Sequence, residues 1–312
     1  MKGYFFVLEN PSTGMIQAAL PVYLVDSWIT GKRLVSIPYA TVCDPLVSSD
    51  IEFEMLFRAV EKLFSETKSS YVEITALHDW TMVANHKSFK RSTLSQFKNH
   101  TLSLSPDLDA IKKNIHKKTR QNLSKTDHDT LTAAECSTIS GLHIFYRLYV
   151  RTRKKLGLPP IPFQFFFNIW KEYTRTGNIQ IVLVYYDKKP IAGQLLLKFK
   201  KRIIMEAIGW DYNFRNAKPN DFLYWEIIKL ACKEGYKVLD FGRTDAENVG
   251  LIDFKRRWGT VESDIPHYFY PVDILKNMSG SGKMKKIFRI FLDERIPDGV
   301  ARFIGEFCYR LG

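Results

Sequence analysis

The stretch 179–259 constrains the fold more than any other part of this chain. Residues 179–186, 191–199 and 202–210 are apolar or β-branched runs, and Asp187-Lys188-Lys189-Pro190 forms a turn between the first two. An amphipathic helix follows at 222–234, FLYWEIIKLACKE, with Gly235 as its stop. A further strand, YKVLDF, is predicted at 236–241. The order β-β-β-α-β therefore reads directly from the residues. It ends in the segment 240–259, DFGRTDAENVGLIDFKRRWG, which sets Arg243, Asp245, Lys255 and Trp258 in a Gly-punctuated loop just past a buried strand. Loops at strand ends are where function usually sits.

The first hundred residues repeat this alternation less completely. Strands are expected at 4–8, 18–25, 33–37 and 71–76, separated by PSTG and TG turn signals. Between them, Asp50 can cap a helix over 51–66, in which Phe53, Leu56, Phe57, Val60, Leu63 and Phe64 recur at helical spacing. A basic helix over 111–125 bridges the two units, helices at 138–156 and 163–174 open the second, and 266–272, PHYFYPV, is expected to close its sheet. The division is thus 1–125, an N-terminal lobe ending in the basic helix, 126–275, a C-terminal lobe, and 276–312, a basic amphipathic tail. Within the tail, MSGSGK at 278–283 is not a phosphate-binding loop: Asn277 stands where a Gly is needed and Met284 follows the Lys, so it reads as a linker. Beyond it, basic residues alternate with apolar ones in a pattern that suits a helix docked on the body or lying in a membrane interface.

A length of 312 residues is ample for a core, and the net charge of +13 implies an anionic partner. Cys43, Cys136, Cys232 and Cys308 show no CxxC spacing, which suits reduced thiols in a cytoplasmic protein. The apolar run at 4–8 is too short for a signal-peptide core, and no run nears the roughly 18 residues of a spanning helix. The seven His residues are dispersed with no HExxH or Cys-His cluster, so no metal is expected. Neither GxSxG nor a Cys-His nucleophile context is present.

The pattern DFGR, then Gly, FK and WG in 240–259 resembles the C-terminal signature of the Fem-type aminoacyltransferases, the peptidoglycan-bridge enzymes of the wider GNAT acyltransferase superfamily, and of their cell-envelope acetyltransferase relatives. Two further segments look similar in order: 102–125, LSLSPDLDAIKKNIHKKTRQNLSK, and 145–167, FYRLYVRTRKKLGLPPIPFQFFF. Together they cover about residues 35 to 275. The resemblance implies an α+β protein with two GNAT-like lobes in tandem, the first abbreviated because the chain begins late relative to the family. It also implies that Lys255 lies in a catalytic channel and supports developing negative charge, with Phe254 walling that channel. From the residues alone, Lys255 is equally one member of the charge run with Arg256 and Arg257. Arg243 can anchor a phosphate or carboxylate, or pair with Asp240, Asp245 or Asp253. Asp245 is the nearest acid for accepting a proton, or a turn residue. Tyr224 on the preceding helix is a further substrate contact, and Trp258 and Gly259 set packing.

A second constellation is basic. Lys112, Lys113, Lys117, Lys118, Arg120 and Lys125 occur without an acid among them, and Arg147, Arg151, Arg153, Lys154 and Lys155 follow on the next helix. Phosphates of tRNA, CoA or a pyrophosphate-linked precursor are natural ligands for such a surface, and a solvated basic face is the plain alternative. A CoA-binding GNAT presents a Gly-rich loop ahead of a helix N-terminus, whereas 214–221, FRNAKPND, has no Gly. That points from CoA towards an aminoacyl-tRNA donor, although Arg215 and Lys218 can still meet phosphates. The expected function is N-acyl transfer, aminoacyl or acetyl, to an amine of a cell-envelope or polysaccharide precursor, without a tightly bound cofactor, by a cytoplasmic protein with peripheral contact at the inner membrane face through its tail. The alternatives are a non-catalytic basic module that binds RNA or anionic lipid, and an acyl-CoA-dependent acetyltransferase of another small molecule.

Overall fold

The computed structural model describes residues 1–27, 31–77, 90–91, 97–126, 130–271 and 295–311. Two mixed sheets organise the chain. The first carries β1 (Lys2–Glu9), β2 (Ile16–Ser27), β3 (Gly31–Val35), β4 (Val72–Thr75) and β5 (Lys90–Arg91). β1, β2 and β3 pair antiparallel, and helix α1 (Asp50–Thr67) makes the crossover that lets β4 run parallel to β3. The cap of α1 is Ser49 rather than Asp50: its side chain accepts from the Glu52 N–H while the Glu52 carboxylate accepts from the Ser48 N–H at 2.6 Å. Phe53, Leu56, Phe57, Val60 and Leu63 then face one way and pack on Leu20, Val22, Leu34, Val72 and Ile74.

The second sheet begins with β6 (Phe97–Ser103) and continues after α2 (Leu108–Asn114) and α3 (Lys117–Ser124). The expected single helix over 111–125 is therefore broken. Ile115 and His116 adopt extended backbone (ψ 137° and 141°), Ile115 is buried, and the His116 N–H donates to the Arg257 carbonyl at 2.8 Å. Gly259 sits beside this break at φ +76°, where a side chain would come within 3.1 Å of the Asn114 carbonyl oxygen.

β7 (Leu131–Cys136) adds a strand that the sequence reading did not include, while α4 (Ile139–Lys155), α5 (Phe163–Thr174), β8 (Ile179–Tyr186), β9 (Lys189–Phe199) and β10 (Arg202–Trp210) follow the expected order closely. Asp187 and Lys188 take positive φ, 46° and 64°, in the two-residue hairpin that joins β8 to β9. After α6 (Pro219–Lys233), β11 (Val238–Asp240) runs parallel to β10 and antiparallel to β6. The segment read as a charged loop contains β12 (Thr244–Asp245) and α7 (Val249–Arg256), the latter capped by Asn248, whose side chain accepts from the Leu251 N–H. β13 (Val261–Asp264) pairs with the opposite edge of β6, since Thr101 faces both Asp240 and Val261.

The sheets cross the boundary expected between the lobes. β6 belongs to the second sheet although it lies within 1–125, and β14 (His267–Tyr270) returns to the first, pairing with β4 and β5 instead of closing the second. The fully buried Tyr268 ring, packed in the first core, explains that return. Within the tail, α8 (Asp298–Leu311) docks on the body through Ala301 and through Gly305, where a Cβ would meet the Pro160 carbonyl oxygen at 2.2 Å. The linker read at 278–283 lies outside the described residues. No helix among the described residues is long and apolar enough to cross a membrane, and the four cysteines are unpaired thiols.

Candidate active site

β10 and β11 pair over three positions, Arg202 with Val238, Ile203 with Leu239 and Ile204 with Asp240; then β11 ends while β10 runs on to Trp210. Asp240 pins the parting point. Its carboxylate accepts from the Gly242 N–H at 2.8 Å, from Arg202 Nη1 at 2.9 Å and from Asn99 Nδ2 at 3.4 Å. Beyond it opens a cavity of about 320 Å³, walled by Ile204 to Ile208, by Phe241 to Arg243, by Tyr149, Thr152 and Arg153 of α4, and by Tyr39 and Thr41 of the first lobe. Gly209 brings α4 against this wall, because a Cβ there would lie 2.2 Å from the Tyr149 amide nitrogen.

Lys255 reaches the floor of the parting from α7. It is 3% exposed, and its Nζ donates to the carbonyl oxygens of Phe241 at 2.6 Å, Gly242 at 2.7 Å and Arg243 at 3.4 Å. Three acceptors call for three N–H groups, so the geometry suits the ammonium. Burial pulls its pKa down to about 8, against the carboxylate of Asp240, which holds the proton on. Trp258, wholly buried two residues beyond α7, and Tyr224, whose ring lies 5.2 Å from Phe241 and 5.5 Å from Trp258, fix the helix in place.

Glu206 faces Lys255's side of the sheet from a β-bulge. Met205 pairs with Leu196 and Ala207 with Leu195, which leaves Glu206 as the extra residue and turns its carboxyl to the cavity. Burial raises its pKa, with the Arg243 guanidinium opposing and Asp240 reinforcing the rise. A carboxyl so placed takes up a proton more readily than a free carboxylate does. Beneath the site, the fully buried His100 has its pKa driven down to about 4 by burial and then by the Lys255 charge, so it stays neutral.

Of the residues singled out from sequence, Lys255, Arg243, Tyr224 and Arg153 line this cavity. Arg243 makes no ion pair among the described residues; its guanidinium lies 4.8 Å from the Phe97 ring centroid, while Asp240 pairs with Arg202 and Asp253 with Arg256. Phe254 does not line the cavity but packs behind Tyr224, with ring centroids 5.2 Å apart. Asp245 lies outside the lining, its carboxylate accepting from the Glu247 N–H at 3.1 Å. Arg151 pairs with Asp211, Arg120 donates to the Lys113 carbonyl, Lys117 and Lys118 stand exposed on α3, and Arg215 lies on the 3₁₀ turn Tyr212–Ala217. At the start of α6, Pro219 offers no N–H and the buried Asp221 carboxylate accepts from Asn122 Nδ2 at 2.9 Å. Glu206, Tyr149 and Tyr39 escaped the sequence reading; the one signal was a lone acid inside the apolar strand 202–210. Among the described residues no group of His, Cys, Asp or Glu is arranged to hold a metal.

Residues 111–256 match the sequence model of the acetyltransferase (GNAT) domain family. A curated relative, the lipid II:glycine glycyltransferase of Staphylococcus haemolyticus (strain JCSC1435), is 40% identical over 58 residues, which span 17% of this chain and only 14% of that protein. Among solved structures, FemX superposes with a TM-score of 0.70 at 13% identity, covering 92% of this chain and 90% of its own. A tandem GNAT protein from the clavulanic acid biosynthesis pathway, solved without AcCoA, gives a TM-score of 0.57 at 10% identity, covering 86% of this chain and 82% of its own. The fold is accordingly that of a tandem GNAT protein.

Proposed function

We propose that this chain is a Fem-type member of the GNAT superfamily, as its domain match, its curated relative and its fold support, and that the 320 Å³ cavity receives an activated acyl group and passes it to an amine. The observation that carries this reading is the buried Lys255 ammonium at the point where β10 and β11 part. In aminolysis of an ester or thioester, the amine nitrogen bonds to the acyl carbon, the carbonyl oxygen takes on negative charge, and the bond to the leaving oxygen or sulfur breaks. A fixed cation in a site that excludes water favours that charge. Two of the Lys255 N–H groups are held by short bonds, whereas the third makes the longest, 3.4 Å to the Arg243 carbonyl, and is the one that turns to a substrate oxygen at least cost. Glu206, its pKa raised by burial, is the acceptor for the amine proton, a role expected from sequence at Asp245.

The cations of Arg153, Arg243 and Lys255 suit a donor that carries its acyl group beside phosphates, either acyl-CoA or aminoacyl-tRNA. The acetyltransferase domain match favours acyl-CoA. The start of α6, closed by Pro219 and by the buried Asp221, favours a donor that needs no N–H cradle there. The acceptor class, an amine on a cell-envelope precursor, is supported by the similarity to a lipid II:glycine glycyltransferase. Incubating the chain with labelled acetyl-CoA or a labelled aminoacyl-tRNA pool, together with amine-bearing cell-envelope precursors, tests the reading by amide formation. Amide labelled from one donor identifies the donor class; no amide from either refutes acyl transfer, and salt-sensitive binding of RNA without turnover would mark a binding module instead.

A further inference from the structure

A second cavity, of about 530 Å³, adjoins the acyl site beneath helix α8. Tyr39 and Ile161 line both. Tyr39 holds a φ of +67°, which few residues other than Gly adopt, and its ring lies 5.8 Å from Phe165 and 5.2 Å from Tyr309. Gln164 and Asn168 reach the cavity from successive turns of α5, and Glu306 from α8, which the close approach of Gly305 to Pro160 holds in place.

The charge of this lining sets it apart. The chain holds 46 Lys and Arg, yet none of the described residues around this cavity is one of them. Its acid, Glu306, makes no ion pair among the described residues, the amino group of Met1 at the same lining included. Arg302, one turn earlier on α8, stands outside the lining. A phosphate-bearing donor is therefore drawn to Arg153, Arg243 and Lys255 in the acyl site and repelled here. The polar groups suit hydroxyls instead. Gln164 Nε2 donates to Asn168 Oδ1 at 2.7 Å, which leaves the Gln164 oxygen to accept and the Asn168 nitrogen to donate, and a hydroxyl does both. Aromatic rings pack on the C–H face of a pyranose, and the volume is that of a small-molecule site.

We infer that this cavity binds the acceptor, and that the acceptor is an amino sugar. Its ring lies among Tyr39, Phe165 and Tyr309, its hydroxyls meet Gln164, Asn168 and Glu306, and its amine passes Ile161 into the acyl cavity. The two substrates are thus sorted by charge, the anionic donor to the cations and the amino sugar to the acid. The acceptor role rests on the acyl-transfer reading, whereas binding of the sugar does not.

Ligand-observed NMR titrations of the full chain with glucosamine and with a glucosamine phosphate test the site. Glucosamine should bind, and its phosphate ester about tenfold or more weakly. Glu306→Lys should reverse that order, and Gln164→Ala/Asn168→Ala should weaken glucosamine about tenfold. Melting temperatures should barely move, because all three side chains are exposed. No binding of glucosamine, or equal affinity in both variants, overturns the proposal. So does cadaverine bound as tightly as glucosamine, for then the cavity reads an amine and no sugar. Amide formed on another amine by a chain that does not bind glucosamine sinks this site and spares acyl transfer. Glucosamine bound as expected, with no amide from either donor, strikes its role as acceptor.

Discussion

Replacing Lys255 by Met separates charge from shape at the parting of β10 and β11. Holding the ammonium at a pKa of about 8, where a free lysine has 10.5, costs the folded state about 3 kcal/mol. Because the folded value is the lower one, that cost is full below pH 8 and is relieved as pH rises from 8 towards 10.5. Met removes the cost but strands the Phe241 and Gly242 carbonyls, at about 1–3 kcal/mol each. The two effects largely offset, so the variant should stay folded, with a net change within about 3 kcal/mol and a melting temperature within several degrees of wild type. The chemical step has no such offset. Losing the one fixed cation beneath the acyl carbonyl should lower kcat about 10²- to 10³-fold. Wild-type rates should also fall above pH 8 as the ammonium deprotonates, and the residual rate of the variant should not. Thermal melts by circular dichroism and pH-dependent steady-state kinetics read both quantities. Activity within a few-fold of wild type in the folded variant would show that Lys255 only braces the turn.

Three further outcomes follow from the same geometry. Glu206→Gln keeps the shape but not the base, and should lower kcat about 10²- to 10⁴-fold while erasing the acid limb of the pH–rate profile; that limb should lie above the ordinary carboxylate range because burial raises the Glu206 pKa. An acid limb that survives in the variant assigns the proton to another group. Gly209→Ala pushes a Cβ into the α4 backbone, 2.2 Å from the Tyr149 nitrogen, and should cost about 3 kcal/mol or more in urea unfolding; an unchanged midpoint would contradict the close approach. His100 has a folded pKa of about 4, below its unfolded 6.5, so the unfolded chain binds the extra proton between these values and stability should drop as pH falls from 6.5 to 4. In His100→Leu that slope should flatten, as denaturant titrations at several pH values would reveal.

What the sequence made legible depended on how local the cause was. The hairpin and strands of 179–210 read correctly because alternation and a two-residue turn with positive φ are properties of neighbours. The break at Ile115 and His116 did not, since it is set by a bond to Arg257 over a hundred residues away. β6 showed only its end, at Leu102 and Ser103 in the segment that resembles the family's strand and basic helix; the rest, FKNHT, buries Asn99 and His100 inside the sheet, where an apolar pattern would be expected. The site divides the same way. Lys255 stands in a recognisable run of residues, whereas Glu206 owes its place to one extra residue in a ladder, a backbone event with no signature of its own.

The bracing and the chemistry of Lys255 are one device. Had β11 continued beside β10 past Asp240, the backbone groups of Phe241 to Arg243 would have paired with the strand and no cavity would exist. The chain instead leaves β10 and pairs with β6, Thr244 facing Lys98, which turns three carbonyls inward at a place with no strand to receive them. Buried carbonyls require donors. A neutral side chain offers at most two N–H groups, and water would flood the acyl site, so an ammonium delivered from α7 is the group that fits. Opening the sheet thus calls for a cation at the split, and a cation at the split is what an acyl carbonyl needs as it gains charge.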